Sequence, residues 1–192
     1  MGLWNRLFGG RFTMPPPEET DLSDSECFKA LRPDLPNQRL ALKAFLEALL
    51  IRMPEVERTR LVRRILRKLN DGECTSTAVY EGLLDDRRGQ KLDHLTLMAC
   101  DIRGFDTFEY LAPYLVRAAG ISTLYAYSNA DGLPLAEILR EFDCWLQPHG
   151  LRYMHIDTGC DEYAGFIVDQ ERVAHIIELA KGAAIQVSLQ SF

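Results

Sequence analysis

Apolar positions in the first part of the chain recur at helical spacing between polar segments. One set of apolar residues falls at helical spacing after Asn37, which is a suitable N-cap residue: Leu40, Leu42, Phe45, Leu46, Leu49 and Leu50. Pro54 ends this segment and opens a second one, in which the same spacing continues to residue 69. The pattern therefore predicts an αα-hairpin, followed by a shorter helix over residues 77–84 and a polar turn.

The pattern changes from residue 91, where short apolar runs alternate with segments of helical spacing. The runs predict five strands, and the segments between them predict three helices. The strands are residues 92–100, 122–127, 152–157, 163–168 and 185–189, and the helices are residues 106–119, 133–146 and 170–181. Right-handed crossovers would make the first three strands mainly parallel, and the short turn 158–161 would make the third and fourth an antiparallel hairpin. The sequence thus predicts the α/β class, with a mixed sheet of roughly five strands and packed helices.

Proline and composition divide the chain into three predicted segments. Pro15, Pro16, Pro17, Pro33 and Pro36 remove backbone donors and oppose helix, so residues 1–36 are expected to be a flexible arm. Residues 37–88 form a predicted helical subdomain, and residues 89–192 form the predicted α/β domain.

Charge is divided unevenly along the chain. Residues 1–70 hold 13 Lys and Arg against 9 Asp and Glu, whereas residues 71–192 hold 9 against 19, which gives local balances of +4 and −10 within a net charge of −6. An acidic domain repels phosphate backbones, so no direct nucleic-acid binding is expected of it, and a basic protein partner would suit it. The basic face of the second helix is interpreted as a solvated surface or as a contact with the acidic domain, with nucleic acid or membrane as the alternative.

The chain shows no sequence signal for export or membrane insertion. It has neither a secretory signal with an apolar core nor a run of about 20 apolar residues, so stable membrane insertion is not expected. The five cysteines are widely spaced without a C-x-x-C pair, which favours reduced thiols and a cytoplasmic location.

Acidic residues gather in the loops that follow the predicted strands. Such loops share one edge of a parallel sheet, where binding sites commonly lie. The candidate partner-binding residues are Asp101, Asp106, Glu109, Asp131, Asp157, Asp161, Glu162 and Tyr163. Helix capping and turn formation explain some of them equally well, with Asp106 as an N-cap and Glu109 completing a capping box. Tyr163 is the candidate hot-spot residue, whereas the other tyrosines, Tyr110 among them, are expected in the core or at its border.

No complete catalytic signature is present. The sequence lacks a nucleophile elbow, a phosphate-binding loop, a dinucleotide fingerprint and a metalloprotease helix, so we expect no enzyme activity and no cofactor. A zinc site built from His149, His155, Asp157 and Cys160 is a weaker alternative.

The segment from Asp101 to Asp106 reads DIRGFD and resembles the metal-binding motif of class III nucleotide cyclases. The resemblance implies that Asp101 is a metal ligand, that Ile102 offers its carbonyl oxygen, and that Asp131 stands nearest to the second metal aspartate. The alternative function is therefore metal-dependent phosphoryl chemistry.

A second resemblance covers the chain from about residue 91 to its end. Two apolar strands flank an acidic Asp-x-Gly-x-Asp-x-Tyr turn that runs from Asp157 to Tyr163. This stretch is similar to an uncharacterised family of small bacterial α/β domains of the kind found as immunity proteins to secreted toxins. The resemblance implies a protein that neutralises a basic, nuclease-like toxin of a type VI secretion system by occluding its active-site cleft. A monomer is expected in the free state.

Overall fold

A computed structural model describes residues 32–123, 125, 132–159 and 161–191 of the chain. Its first three helices are α1 (Leu35–Leu49), α2 (Glu55–Asn70) and α3 (Thr75–Leu84). Pro54 stands at the N-cap of α2, as the sequence indicates, and the Cys74 thiol caps α3 by accepting a hydrogen bond from the Thr77 N–H group. Because α1 already begins at Leu35, Asn37 lies in its first turn, and its prediction as an N-cap is wrong.

The second half of the described chain alternates strands and helices. These are β1 (Leu97–Asp101), α4 (Phe105–Ala118), α5 (Leu135–Leu146), β2 (Leu151–Ile156), β3 (Glu162–Asp169), α6 (Val173–Gly182) and β4 (Val187–Ser188). Short 3₁₀ turns occupy Leu92–His94, Gln147–His149 and Gln170–Arg172. The α/β class is therefore confirmed, with six α-helices in the part of the chain that the structure describes.

The sheet has four strands among the described residues, in the order β1-β3-β2-β4, and every neighbouring pair is antiparallel. The expected five-stranded mixed sheet is thus wrong. The strands β1 and β2 do run in the same direction, but β3 lies between them, which is a split β-α-β arrangement. The predicted hairpin of β2 and β3 is confirmed. The other side of β3 pairs with β1, so β3 lies between β1 and β2.

Three of the predicted strands differ from the structure. The strand expected over 92–100 begins only at Leu97, because the Gln90 carboxamide accepts hydrogen bonds from the Thr96 and Leu97 N–H groups (2.9 and 3.0 Å) and turns the chain there. Half of the strand expected over 122–127 lies outside the described residues, and its described positions are not in a strand. The strand expected over 185–189 is reduced to Val187–Ser188 at the β2 edge.

Both faces of the sheet are buried, which gives the described chain three layers. On one face, Leu97, Met154 and Phe166 share a core with apolar residues of α1, α2, α3 and α6. On the other face, Met98 and Tyr153 share a second core with α4 and α5. Residues 35–192 form one compact unit, so the predicted helical subdomain and the predicted α/β domain share a core across residue 88.

A buried carboxylate fastens α5 to the sheet. Asp143 is only 8% exposed and accepts two hydrogen bonds from Arg152 Nε and one from Arg152 Nη2, at 2.8 to 3.1 Å. It also accepts a hydrogen bond from the Tyr153 N–H group at 2.7 Å. The hydrogen bond to Asp143 raises the pKa of the Arg152 guanidinium. Because the guanidinium and the amide satisfy this charge together, removing either partner would leave a costly unpaired group.

Among the described residues, no helix combines the length and the apolar character that crossing a membrane requires.

Candidate functional site

Four carboxylates from three segments lie at one end of the sheet, and we call them the acidic edge: Asp101, Asp157, Asp161 and Glu162. Asp101 ends β1 and is the direct cross-strand partner of Glu162 at the start of β3. Asp157 follows the last residue of β2, and Asp161 precedes β3. The C-terminal ends of β1 and β2 share this end of the sheet because both strands run antiparallel to β3. The loops after β1 and β2 therefore lie at the same end of the sheet, as expected, although these two strands are not adjacent.

Two of the four carboxylates are held by tight turns. Asp101 Oδ1 accepts a hydrogen bond from the Arg103 N–H group at 2.8 Å, and Asp157 Oδ1 accepts one from the Gly159 N–H group at 2.9 Å. Gly159 has a φ angle of +71°, a conformation that glycine adopts without steric cost. Both are Asx turns, in which a short side chain fixes the backbone two residues ahead. The turns orient one oxygen of each carboxylate toward the protein and leave charge facing outward.

The Glu162 side chain is held by a contact with α3, which packs on one face of the sheet. The Tyr80 hydroxyl of α3 donates a hydrogen bond to Glu162 Oε2 at 2.7 Å, while Glu162 Oε1 is buried without a hydrogen-bond partner among the described residues. A buried carboxylate oxygen without a donor is costly. The charge of Glu162 also acts on Cys100, whose thiol pKa is raised to about 12 by burial and by this carboxylate. Sequence reasoning missed Tyr80, because nothing in its local pattern links α3 to β3.

The acidic edge continues into an exposed strip that we call the α4 flank: Ile102, Asp106, Glu109 and Tyr110. The tight loop after Asp101 is closed by a hydrogen bond from the Gly104 N–H group to the Asp101 carbonyl oxygen at 2.7 Å. Asp106 and Glu109 are exposed and lie three residues apart on α4, so they share one face of the helix. Ile102 and Tyr110 are 49% and 56% exposed, which is unusual for large apolar side chains.

Two sequence interpretations are corrected at this flank. The N-cap of α4 is Gly104 and no side chain caps the helix, so the capping box expected from Asp106 and Glu109 is wrong. Tyr110 was expected in or beside the core and is instead exposed. Tyr163 on β3 is half-buried and packs against the α4–α5 core, and its role as a hot-spot residue stays a prediction. Alternation along β3 accounts for this placement, because it turns Tyr163 to the same face as Ile167. Asp131 lies outside the described residues.

Beneath the acidic edge lies a group of buried polar side chains that we call the polar layer: Cys100, Tyr153 and His155. Their exposed fractions are 2%, 0% and 5%. The rings of Tyr153 and His155 stand nearly perpendicular with centroids 5.0 Å apart. The Tyr153 hydroxyl and His155 Nδ1 have no hydrogen-bond partner among the described residues. Alternation along β2 turns both residues to the α4–α5 face, and the lone histidine gave the only sequence signal for this layer.

Burial keeps all three groups of the polar layer uncharged near neutral pH. Desolvation raises the pKa of the Tyr153 hydroxyl and holds the Cys100 thiol protonated. Desolvation also lowers the pKa of His155 to about 4, although the charge of Asp143 raises this pKa by a smaller amount. A protonated thiol is a poor nucleophile. The layer therefore contributes packing and neutral hydrogen-bonding atoms rather than an activated cysteine.

The two metal hypotheses find little support in the geometry of the described residues. Within residues 32–123, 125, 132–159 and 161–191, no three His, Cys, Asp or Glu side chains converge as a metal ion requires. Asp101 engages one oxygen in its turn, and Cys160 and Asp131 lie outside the described residues. Of the remaining zinc candidates, His155 is buried in the polar layer, while His149 is exposed beside the Trp145 ring at 4.9 Å.

The fold and the site define a three-layered α/β protein whose antiparallel sheet carries carboxylates at one end. The chain belongs to the family described as Domain of unknown function (DUF6630), which matches residues 61–190. The expectation of an uncharacterised family is thereby confirmed. Comparison with curated proteins and with solved structures gives no match to this chain.

Proposed function

We propose that this chain is a protein-binding module whose acidic edge and α4 flank bind a basic surface of a partner protein. The observation that carries the proposal is the meeting of four carboxylates from three segments beside two exposed apolar side chains. Protein interfaces commonly combine a few apolar anchors with a polar rim. Ile102 and Tyr110 would serve as the anchors, and the carboxylates would serve as the rim that selects a basic partner.

Contacts within the protein already hold three of the four carboxylates of the acidic edge, which supports binding. The Asx turns at Asp101 and Asp157 and the hydrogen bond from Tyr80 to Glu162 hold the edge without a partner. A surface that is fixed in its binding conformation loses less entropy when the complex forms. The edge would therefore bind largely as a rigid body.

Long-range electrostatics would add speed to this binding. Residues 71–192 carry a local balance of −10, so a basic protein is attracted before contact. Such attraction raises association rates and weakens with salt, because ions screen charges over about 8 Å at physiological ionic strength. The proposal thus includes a fast, salt-sensitive association step.

The partner that we propose is a basic bacterial toxin whose active-site cleft is occluded, which would make the chain an immunity protein. A cleft that binds nucleic acid is basic, and an acidic edge can occupy it as the phosphates do. This step rests on the charge of the edge and on the resemblance of the strand-turn-strand segment to immunity proteins. Type VI secretion of the toxin rests on that resemblance alone.

Charge reversal tests the proposed surface, with the basic protein that pull-down on the purified full chain identifies as the partner. The variant Asp106→Lys/Glu109→Lys/Asp161→Lys reverses three exposed carboxylates. We expect its affinity to fall at least about tenfold, or about 1.4 kcal/mol, because like charges would then face each other. Isothermal titration calorimetry or surface plasmon resonance would measure this change.

The matched control reverses three exposed carboxylates on α5 and α6, with the variant Glu137→Lys/Glu141→Lys/Glu178→Lys. Its change in net charge is the same, so we expect only a small loss of affinity. If both triple variants lose affinity equally, total charge rather than the acidic edge determines binding. An unchanged affinity in the first variant would place the partner elsewhere.

A further inference from the structure

A second charged feature lies along α2, where a groove of about 770 Å³ runs between the helix and the loop after α3. Five arginines line it, whereas Glu55 is the only acidic residue in its lining. These arginines are Arg60, Arg63, Arg64, Arg67 and Arg88. Its volume lies in the range of small-molecule sites. The groove is therefore a local concentration of positive charge in a chain whose net charge is −6.

Two of the five arginines hold the groove together. Arg60 donates to both oxygens of Glu57 (2.9 and 2.6 Å) and to the carbonyl oxygens of Arg88 and Gly89 (2.5 and 2.7 Å). Arg64 pairs with Asp85 at 2.9 Å. These contacts fix the loop against α2. They define the walls of the groove, and the N–H groups that make them are not available to a ligand.

The position of Arg88 is also fixed. Asp85 Oδ1 accepts hydrogen bonds from the backbone N–H groups of Arg87 and Arg88, at 3.1 and 2.6 Å. The backbone that carries Arg88 is thus held at both its N–H group and its carbonyl oxygen. Its exposed side chain faces the groove from a rigid base.

Three arginines remain without a carboxylate partner among the described residues: Arg63, Arg67 and Arg88. Arg63 and Arg67 are exposed and lie four residues apart on one face of α2, with an axial separation of about 6 Å. Like charges at this spacing destabilise a helix. In addition, Arg64 Nε is buried without a hydrogen-bond partner among the described residues. The groove therefore offers guanidinium donors in excess of the acceptors around it.

We propose that this groove binds a small molecule with two or more adjacent phosphate groups, held by Arg63, Arg67 and Arg88. Guanidinium forks match the oxygens of phosphate groups and bind them through paired hydrogen bonds. Adjacent phosphates would bridge the two arginines of α2 and offset their repulsion. Val56, which is 84% exposed, and Thr59 also line the groove and would contact the rest of the ligand.

A compact ligand suits the groove better than a nucleic-acid strand. A long polymer would pass over the acidic remainder of the chain and be repelled by it. A small polyphosphate senses mainly the charges within the screening length of about 8 Å. The local excess of arginine therefore favours the small ligand.

Calorimetric titration of the full chain with inorganic triphosphate and with ATP at 150 mM salt tests this site. We expect binding that weakens at least tenfold in the variant Arg63→Gln/Arg67→Gln. The control variant Arg117→Gln/Arg140→Gln removes two exposed arginines from α4 and α5 and should bind as the wild type does. Thermal unfolding should show that Arg63→Gln/Arg67→Gln is at least as stable as the wild type, because it relieves a repulsion.

Several results would overturn the proposal. Absence of binding to both probes would remove the site, and an equal loss in both double variants would assign binding to total charge. Displacement by sodium sulfate at matched ionic strength would show that any anion suffices. Tighter binding of a single-stranded oligonucleotide than of triphosphate would make the groove a polymer-binding surface. None of these results depends on the protein partner of the acidic edge, so this site and the proposed function can fail independently.

Discussion

At the scale of single residues, polar groups that are buried beneath the acidic edge lower the stability of the fold. Tyr153 and His155 are buried without hydrogen-bond partners for Oη and Nδ1 among the described residues. Each such atom costs about 1–3 kcal/mol. The sequence identified His155 only as a weak zinc candidate. Its side chain lies on the face of the sheet that α4 and α5 cover, and no local pattern reports which helices pack on that face.

His155 should make the protein sensitive to mild acid. Its pKa is about 4 in the folded chain, mainly because burial disfavours the charged ring, and about 6.5 in the unfolded chain. The unfolded state therefore binds more protons between these values, and stability should be full above pH 6.5 and decrease as pH falls toward 4. The loss is on the order of 3 kcal/mol. Urea unfolding at several pH values would measure it.

The comparison of two histidine variants isolates this effect from the titration of carboxylates. In His155→Leu the decrease in stability between pH 6.5 and 4 should be much shallower, because the titrating ring is gone. In His175→Gln, which changes an exposed histidine of α6, the wild-type dependence should persist. Identical pH profiles in all three proteins would mean that His155 is not held neutral by burial.

At the scale of elements, the sequence predicts where helices occur better than how strands pair. Hydrophobic periodicity and Pro54 identified the α1–α2 hairpin, and the short turn after Asp157 identified the β2–β3 hairpin. The neighbour of β1 could not be read from the chain, since pairing between β1 and β3 joins residues some 60 positions apart. The acidic edge was foreseen because strand ends meet in either arrangement. Asp106 and Glu109 of the α4 flank were also foreseen, whereas Ile102 and Tyr110 were not, because helical periodicity alone did not place Tyr110 on the outer face.

Gly165 shows how one element constrains another. It is paired with Met98 on one side and His155 on the other, and the ring of Tyr153 lies over it. An added Cβ would stand 2.4 Å from Tyr153 Cζ and Oη and 2.7 Å from the Met154 carbonyl oxygen. Neither a packed ring nor a backbone oxygen can move away cheaply. The glycine is therefore required for the sheet to keep Tyr153 in its core.

Replacement of this glycine should destabilise the fold strongly. We expect Gly165→Ala to lower the free energy of unfolding by about 2 kcal/mol or more, as overpacked cores commonly do. Gly182→Ala is the matched control, since a Cβ there meets no atom within 4 Å and alanine favours helix. Chemical denaturation of both variants would measure the difference. Equal stability of the two would refute the close approach of Tyr153.

At the scale of the whole molecule, two surfaces of opposite charge belong to one compact unit. The acidic edge lies at an end of the sheet, and the arginine groove follows α2. Charge counting along the sequence indicated both surfaces, with +4 in residues 1–70 and −10 in the remainder. It could not show which charges are paired within the fold. Arg60 and Arg64 are neutralised by Glu57 and Asp85, whereas Arg63 and Arg67 are not.

Hydrogen–deuterium exchange of the chain with and without the proposed basic partner tests the proposed function most directly. We expect binding to slow exchange in the backbone around residues 101–110 and 157–162, which carry the α4 flank and the acidic edge. We expect little change along α2, where the arginine groove lies. Protection confined to α2, or protection that leaves both segments of the edge unchanged, would contradict the proposed binding surface.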